Sequence, residues 1–321
     1  MKNKLLVTAF LLLAYALVFS ATHKPDTVKA GIYVTSIHNV DFKQKEYSIN
    51  LWLWLKYKRL DFDFEKNLEV PMAKSFEKSY VSTDTLEDGS IYMLMKLQCV
   101  MKDNWQINNY PFDRQKLRFA IENSNFDSKE LVFTCDTAGS HYEKFFLTDR
   151  QQDDFVIKTE PRHYATSFGD PALKEPRSEY STYKATLSVH RHSWELFFKL
   201  FLGMYLAFFI SLACFYIHPD NMDSRLALSV GSLFAVIGNK YIIDSTLPET
   251  NSFTLVDTLH AITLFYIFLV MAVSVFTLNL IKNNKEQLAE KWNRIIGNTT
   301  LIMYVALNFW LIWRAYNSAG S

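Results

Sequence analysis

Cysteine, glycine and net charge are all scarce in this chain of 321 residues. Three cysteines cannot build a disulfide framework. Cys214 falls in an apolar run and reads as a small packing residue, while Cys99 and Cys135 leave the question of pairing open. Nine glycines disfavour nucleotide-binding loops, and no zinc spacing or serine elbow is present. His163, His190 and His192 are scattered, which suits solvated or packed rings better than a metal site. No acid–base, nucleophilic or metal constellation stands out, so an enzyme is disfavoured and no cofactor is expected. Lys and Arg number 34 against 33 Asp and Glu, a formal charge of +1 that gives no footprint for nucleic acid.

What the chain has is apolar mass. It is 49% hydrophobic and 16% aromatic, which excludes disorder, and the length suggests about two domains. The mean hydropathy of −0.03 averages over two unlike parts. Residues 23–193 are polar and strand-like, whereas residues 194–316 carry four long apolar runs.

The start of the chain reads as a signal peptide over residues 1–20. Lys2 and Lys4 precede an apolar stretch from Leu5 to Phe19, and Val18-Phe19-Ser20 is an acceptable cleavage site. That stretch is shorter than the ~20 residues that span hydrocarbon, which favours cleavage over an anchor helix. Four later segments are long enough to cross: about 195–217, 226–243, 255–281 and 295–313. Cleavage leaves the polar half outside, so the third connection is cytoplasmic. It carries Lys282, Lys285, Lys291 and Arg294, as the positive-inside rule requires. The external second connection has Asp244 and Glu249 but no Lys or Arg. Both tests agree on the orientation.

Between Gly31 and His192 short alternating runs sit between turn signals, the pattern of an antiparallel β-sandwich. Tyr47 to Tyr57 alternates with a period of two and puts Trp52 and Trp54 on one face. Further strands are predicted at Ile91–Val100, Gln115–Ile121, Leu131–Cys135, Phe155–Thr159 and Tyr183–His190. Glu87-Asp88-Gly89-Ser90 and Phe168-Gly169-Asp170-Pro171 read as turns.

Asn109-Tyr110-Pro111-Phe112-Asp113-Arg114-Gln115 is, by composition, a proline turn beside an apolar strand. In context it resembles the proline loop of the pentameric ligand-gated ion channels, the Cys-loop receptor superfamily. Val40-Asp41-Phe42 resembles the family's first interstrand loop, and Arg191 stands at its basic position before the first span. Arg225-Leu226 resembles the opening of the second span and Leu247-Pro248 its end, with no gap between. The likeness runs over nearly the whole mature chain. Animal members bracket the proline loop with cysteines, whereas Asp103 and Leu117 stand here. Together with an inner connection of about a dozen residues, this suggests the prokaryotic type. The usual prolines of the first span are missing, and Gly203 occupies one such place.

The resemblance implies an immunoglobulin-like β-sandwich over 21–193 and a four-helix transmembrane bundle over 194–321, with the pore helix at about 224–245. It implies a homopentamer, the expected partners being its own copies, membrane lipids, permeating monovalent cations and a small-molecule agonist or protons. The carried-over register puts Asp223, Ala227, Gly231, Phe234, Gly238 and Tyr241 on the lumen, and the spacings of four, four, three, four and three hold one helical face. Five Asp223 carboxylates would favour cations, and the Phe234 and Tyr241 rings would narrow the path. Ser229, Ser232 and Asn239 lie on the opposite face, which simple polarity would turn to the water. Agonists of the family sit in aromatic cages between subunits. Tyr80, Phe126, Phe168 and Tyr180 are candidates on one side, with Trp52 and Tyr57 across the interface. Ser124 stands where an aromatic is usual, which leaves an amine agonist and proton gating both open. Asp41, Asp113 and Arg191, with Pro111 and Pro248, are the expected coupling residues beside the connection from Leu247 to Thr254. The expected location is the bacterial inner membrane, with the sandwich and the C-terminus outside the cytoplasm. A non-conducting sensor of the same fold is the alternative.

Overall fold

The computed structural model describes residues 24–143, 150–169, 177–191, 193–249 and 252–318, with the backbone alone at 150–153 and 191. The signal-peptide segment, residues 170–171 of the second turn, His192 and the Arg191 side chain lie outside the described residues.

Among the described residues the regular structure of the first half is strand apart from one short helix. Its elements are β1 (Asp26–Asp41), β2 (Glu46–Tyr57), α1 (Phe64–Asn67), β3 (Leu68–Glu69), β4 (Ala73–Thr85) and β5 (Ile91–Lys102). They continue with β6 (Arg114–Asn123), β7 (Leu131–Cys135), β8 (His141–Tyr142), β9 (Arg150–Tyr164) and β10 (Ser178–Arg191). One sheet runs β4-β5-β2-β1-β7, with β8 also on β1, and the other runs β3-β6-β10-β9. The fold is the expected β-sandwich.

Strand β2 shows why. Tyr47, Ile49, Leu51, Leu53, Leu55 and Tyr57 are buried, and the residues between them are half-buried. Each fully buried leucine contributes roughly 1.5–3 kcal/mol against leaving it in water. A second constraint fixes β1 beside β2. A Cβ on Gly31 would lie 2.4 Å from the Trp54 ring, so only glycine lets that indole lie across the sheet. The indole N–H donates to Asp136 Oδ2 at 3.1 Å, and Lys29 pairs with the same carboxylate at 3.0 Å. Cys99, Cys135 and Cys214 are all free thiols. Burial pushes the Cys99 thiol up to about 12.

The second half is helical: α2 (Ser193–Leu212) with a 3-10 turn (Ala213–Tyr216), α3 (Met222–Asp244), α4 (Leu255–Lys282) and α5 (Glu286–Ser318). All four are long and apolar enough to cross a bilayer, which makes this a multi-pass membrane protein. Helix α5 begins nine residues before the span read from hydropathy, because its first turns carry Glu286, Glu290, Lys291 and Arg294. Phe198, Leu202, Leu206, Phe209 and Ile210 of α2 are exposed. Helix α4 starts on a capping box: the Asp257 N–H donates to Thr254 Oγ1 at 3.2 Å, and the Thr254 N–H returns a bond to Asp257 Oδ2 at 2.9 Å.

Candidate functional site

Helix α3 has the two faces that matter. Asn221 caps it, its side chain accepting from the Ser224 N–H at 3.4 Å, and Asp223 in the first turn complements the helix dipole. Arg225, Ser229, Ser232, Val236 and Ile243 are buried against the chain's own helices. The Arg225 guanidinium is fully buried: Nε donates to the Ile217 carbonyl at 3.1 Å, Nη1 to Thr277 Oγ1 at 3.2 Å and Nη2 to Asn293 Oδ1 at 2.9 Å. Ser229 Oγ meets Cys214 Sγ at 3.3 Å. Asn239 donates to the Leu200 carbonyl at 3.1 Å and faces His260 Nε2 at 2.9 Å. The polar stripe that sequence polarity would turn to water is therefore buried inside the bundle, with Ser229 and Asn239 partnered there and the Ser232 hydroxyl buried without a hydrogen bond.

Asp223, Ala227, Gly231, Phe234, Gly238 and Tyr241 lie on the other face, all exposed in the single chain. Phe234 is 66% and Tyr241 76% exposed, values out of place for rings that pack within their own subunit. A Cβ at Gly231 or Gly238 would meet nothing within 4 Å.

The sandwich meets the helices through the proline loop. Pro111 and Phe112 are buried, and the Phe112 ring lies 5.1 Å from Trp194, 5.6 Å from Phe197 and 5.9 Å from Tyr316. The Asn108 carbonyl accepts from the Leu255 N–H at 2.7 Å, and Asn108 Oδ1 accepts from Ser252 Oγ at 3.1 Å. Asn109 Nδ2 donates to Ser318 Oγ at 3.1 Å, so the end of α5 lies on the sandwich side. Asp41 caps its own turn, Oδ1 accepting from the Gln44 N–H at 2.8 Å, while Lys43 in that turn reaches the Ser245 carbonyl at 3.4 Å. Buried Asp113 accepts from Gln115 Nε2 at 2.5 Å. Leu247 and Pro248 are buried just beyond the end of α3. Asp103, at the cysteine-equivalent position, is held by Arg118, with Nε donating to Oδ2 at 3.1 Å.

No protein-family profile matches the chain. It is 24% identical over 274 residues to a proton-gated ion channel of Gloeobacter violaceus, covering 78% of this chain and 73% of that one. It is 19% identical over 293 residues to gamma-aminobutyric acid receptor subunit gamma-4 of Gallus gallus, covering 83% of this chain and 61% of the subunit. The chain is a relative of the pentameric ligand-gated ion channels. Its relatives are a channel and a receptor subunit, not enzymes.

As a chain of this channel type, it divides the six ligand candidates among three places. Phe168 and Tyr180 pack together at 6.3 Å, and each also meets Tyr164, at 5.3 and 5.8 Å. Tyr80 lies not with them but beside Trp52 on the β4-β5-β2 sheet, at 5.6 Å, with Lys96 Nζ 5.6 Å above the indole. Phe126 packs on Phe62 at 4.8 Å under the Arg59 guanidinium. Tyr57 is only 4% exposed, packed on Phe62 and Phe64, so its ring belongs to the core.

The Tyr164 cluster has a charged floor that sequence reading missed. Buried Glu122 accepts from Tyr164 Oη at 2.8 Å and Thr182 Oγ1 at 2.7 Å, with Arg162 Nη1 at 3.5 Å. Arg162 stacks 5.0 Å above the Tyr164 ring. Glu69 stands directly opposite Glu122 in the β3–β6 pair. Burial and the facing Glu122 charge raise the Glu69 carboxyl above its usual range, and burial with the Glu122 bond raises the Tyr164 phenol. The available signal was the strand period, which sends Glu122, Thr182 and Tyr180 to one outward face.

Proposed function

We propose that five copies of this chain form a cation-selective, ligand-gated channel whose pore is lined by the open face of α3. One observation carries the reading: Arg225, Ser229 and Asn239 on the buried side of α3 have their partners within the bundle, while the face from Asp223 to Tyr241 is left uncovered. Five such faces around an axis would give a path with an Asp223 ring at the inner mouth, where carboxylates concentrate cations. Phe234 and Tyr241 would form two constrictions separated by Gly238, and apolar walls of that kind can dewet and close. Asp41, Asp113, Arg191, Pro111 and Pro248 are assigned to coupling between sandwich and pore. The loop charges support an orientation with sandwich and C-terminus on the extracytoplasmic side, in a bacterial inner membrane on this reading, and the Asn109–Ser318 contact is in keeping with it.

Small-molecule agonists would enter between subunits against the Tyr164, Phe168 and Tyr180 rings, facing Trp52 and Tyr80 of the next copy. A second reading, gating by protons, is favoured by the Glu69–Glu122 opposition and agrees with the Gloeobacter relative being a proton-gated ion channel. Purified protein in planar bilayers, stepped through amines and through pH, separates the two. In the same bilayers Asp223→Lys is expected to move the reversal potential in a salt gradient away from the cation equilibrium value. An unchanged potential would place selectivity elsewhere, and no current under any condition would favour a non-conducting sensor.

A further inference from the structure

A lysine inside a membrane-spanning helix is expensive and needs a reason. Lys240 sits on α3 one turn from its outer end and is not among the lumen positions assigned above. Its Nζ lies 2.7 Å from Asp257 Oδ1 on α4 and 2.7 Å from Asp244 Oδ2 on its own helix. Both members of the interhelical pair are about three-quarters shielded, at 28% and 24% side-chain exposure, so water screens them less than a surface pair.

The partner is no ordinary surface carboxylate. Asp257 is the helical member of the α4 capping box, its other oxygen accepting from the Thr254 N–H at 2.9 Å and Thr254 Oγ1 at 2.7 Å. The next residue, Leu255, donates its N–H to the Asn108 carbonyl beside the proline loop. A short run of bonds therefore leads from the sandwich, through the first turn of α4, to a side chain on the candidate pore helix. One position away, Asn239 joins α3 to His260 of α4 and to the Leu200 carbonyl of α2. That neighbour anchors the back of α3, whereas Lys240 ties it to a turn that the sandwich holds.

We propose that the Lys240–Asp257 ion pair is the link through which the proline loop, acting on the start of α4, sets the position of the outer end of α3. Lys240 is thus a positioning residue for gating. The inference rests on the channel reading and deepens it. A shared path alone does not establish coupling, so the pair needs a thermodynamic cycle.

The experiment compares half-activation in Lys240→Gln, Asp257→Asn and the double variant, each first checked for pentamer assembly by size exclusion in detergent. Each single change is expected to shift half-activation by about fivefold or more, the scale of ordinary allosteric coupling. The double variant should shift no further than the larger single. Exchanging the charges, Lys240→Asp with Asp257→Lys, should recover most of the wild-type response, and Lys240→Arg should stay within about twofold of it. Should the single variants fail to assemble, Lys240→Arg and the charge exchange still carry the test. Additive shifts, an exchange no better than the singles, or an Arg variant as impaired as Gln would each overturn the link. A wild-type protein silent to every agonist and pH step sinks the channel reading and the link together. A wild type that gates while the cycle is additive sinks the link alone.

Discussion

The two halves of this molecule are inside-out relatives of each other. In the sandwich the core holds side chains such as Val28, Ile32, Leu51, Leu53 and Phe133, and lysines and glutamates other than Glu122 lie mostly toward the outside. In the helical half Arg225, Ser229, His260, Thr263, Thr277, Asn293 and Asn308 are buried, while Phe198, Leu206, Phe265, Phe309 and Trp313 are exposed. One chain thus obeys opposite rules because its halves are dissolved in different solvents. In water, burial of apolar surface drives packing. In lipid the surroundings are as apolar as leucine, and packing with internal hydrogen bonds takes over. Ser211, Thr263, Ser274 and Thr277 are the small or hydroxylated residues such interfaces favour.

The largest expected effect tests that contrast directly. Leu53→Ala opens a cavity in the sandwich core and should cost about 2–5 kcal/mol. Leu206→Ala removes the same atoms from a residue 53% exposed on α2, and should cost less than about 1 kcal/mol in detergent or lipid. Thermal unfolding of the two variants compares them, and equal losses would mean that the α2 face is packed against protein in the assembly.

The border between the halves comes next. Phe112 is the sandwich residue pushed among Trp194, Phe197 and Tyr316. Phe112→Ala should leave the sandwich core intact, since none of those partners belongs to it, yet weaken activation by about tenfold or more, a loss of roughly 1.4 kcal/mol of coupling. Phe112→Leu, which keeps the apolar bulk, should recover most of it. Agonist concentration–response curves decide, and an unchanged response to Phe112→Ala would remove the loop from transmission.

How far the residues announced this arrangement differs between the halves. Strand β2 was legible because its alternation is complete, and the four spans because length and apolarity suffice. Strand β4 was not, since Ala73–Thr85 is a polar edge strand with no residue buried and hence no period to read. The candidate lumen face and the polar stripe were both visible on α3, but which face the bundle keeps depends on Thr277 and Asn293, remote in sequence. Tyr80 and Trp52 were assigned to opposite sides because sequence gives no sheet neighbours, and β5 lies between their strands. Lys43, Asn108 and Lys240 drew no notice, because their meaning lies wholly in partners on other elements.

The smallest effect concerns a carboxylate that follows neither rule cleanly. Glu69 is exposed by area, yet burial of its carboxyl and the facing Glu122 raise its proton affinity in the fold. An acid whose folded value exceeds its unfolded value, about 4.3 for glutamate, costs stability once the pH rises through the folded value. Below the unfolded value it is protonated in both states and costs nothing. Glu69→Gln removes this titration, so it should stabilise the protein at neutral pH and leave it unchanged below about pH 4. Solvent screening of an exposed group keeps the gain to about 0.5 kcal/mol or less. Melting curves at pH 4 and pH 7 measure it by difference. A gain equal at both pH values would trace to packing, and a loss at neutral pH would mean that the Glu69 charge is used in the assembled pentamer.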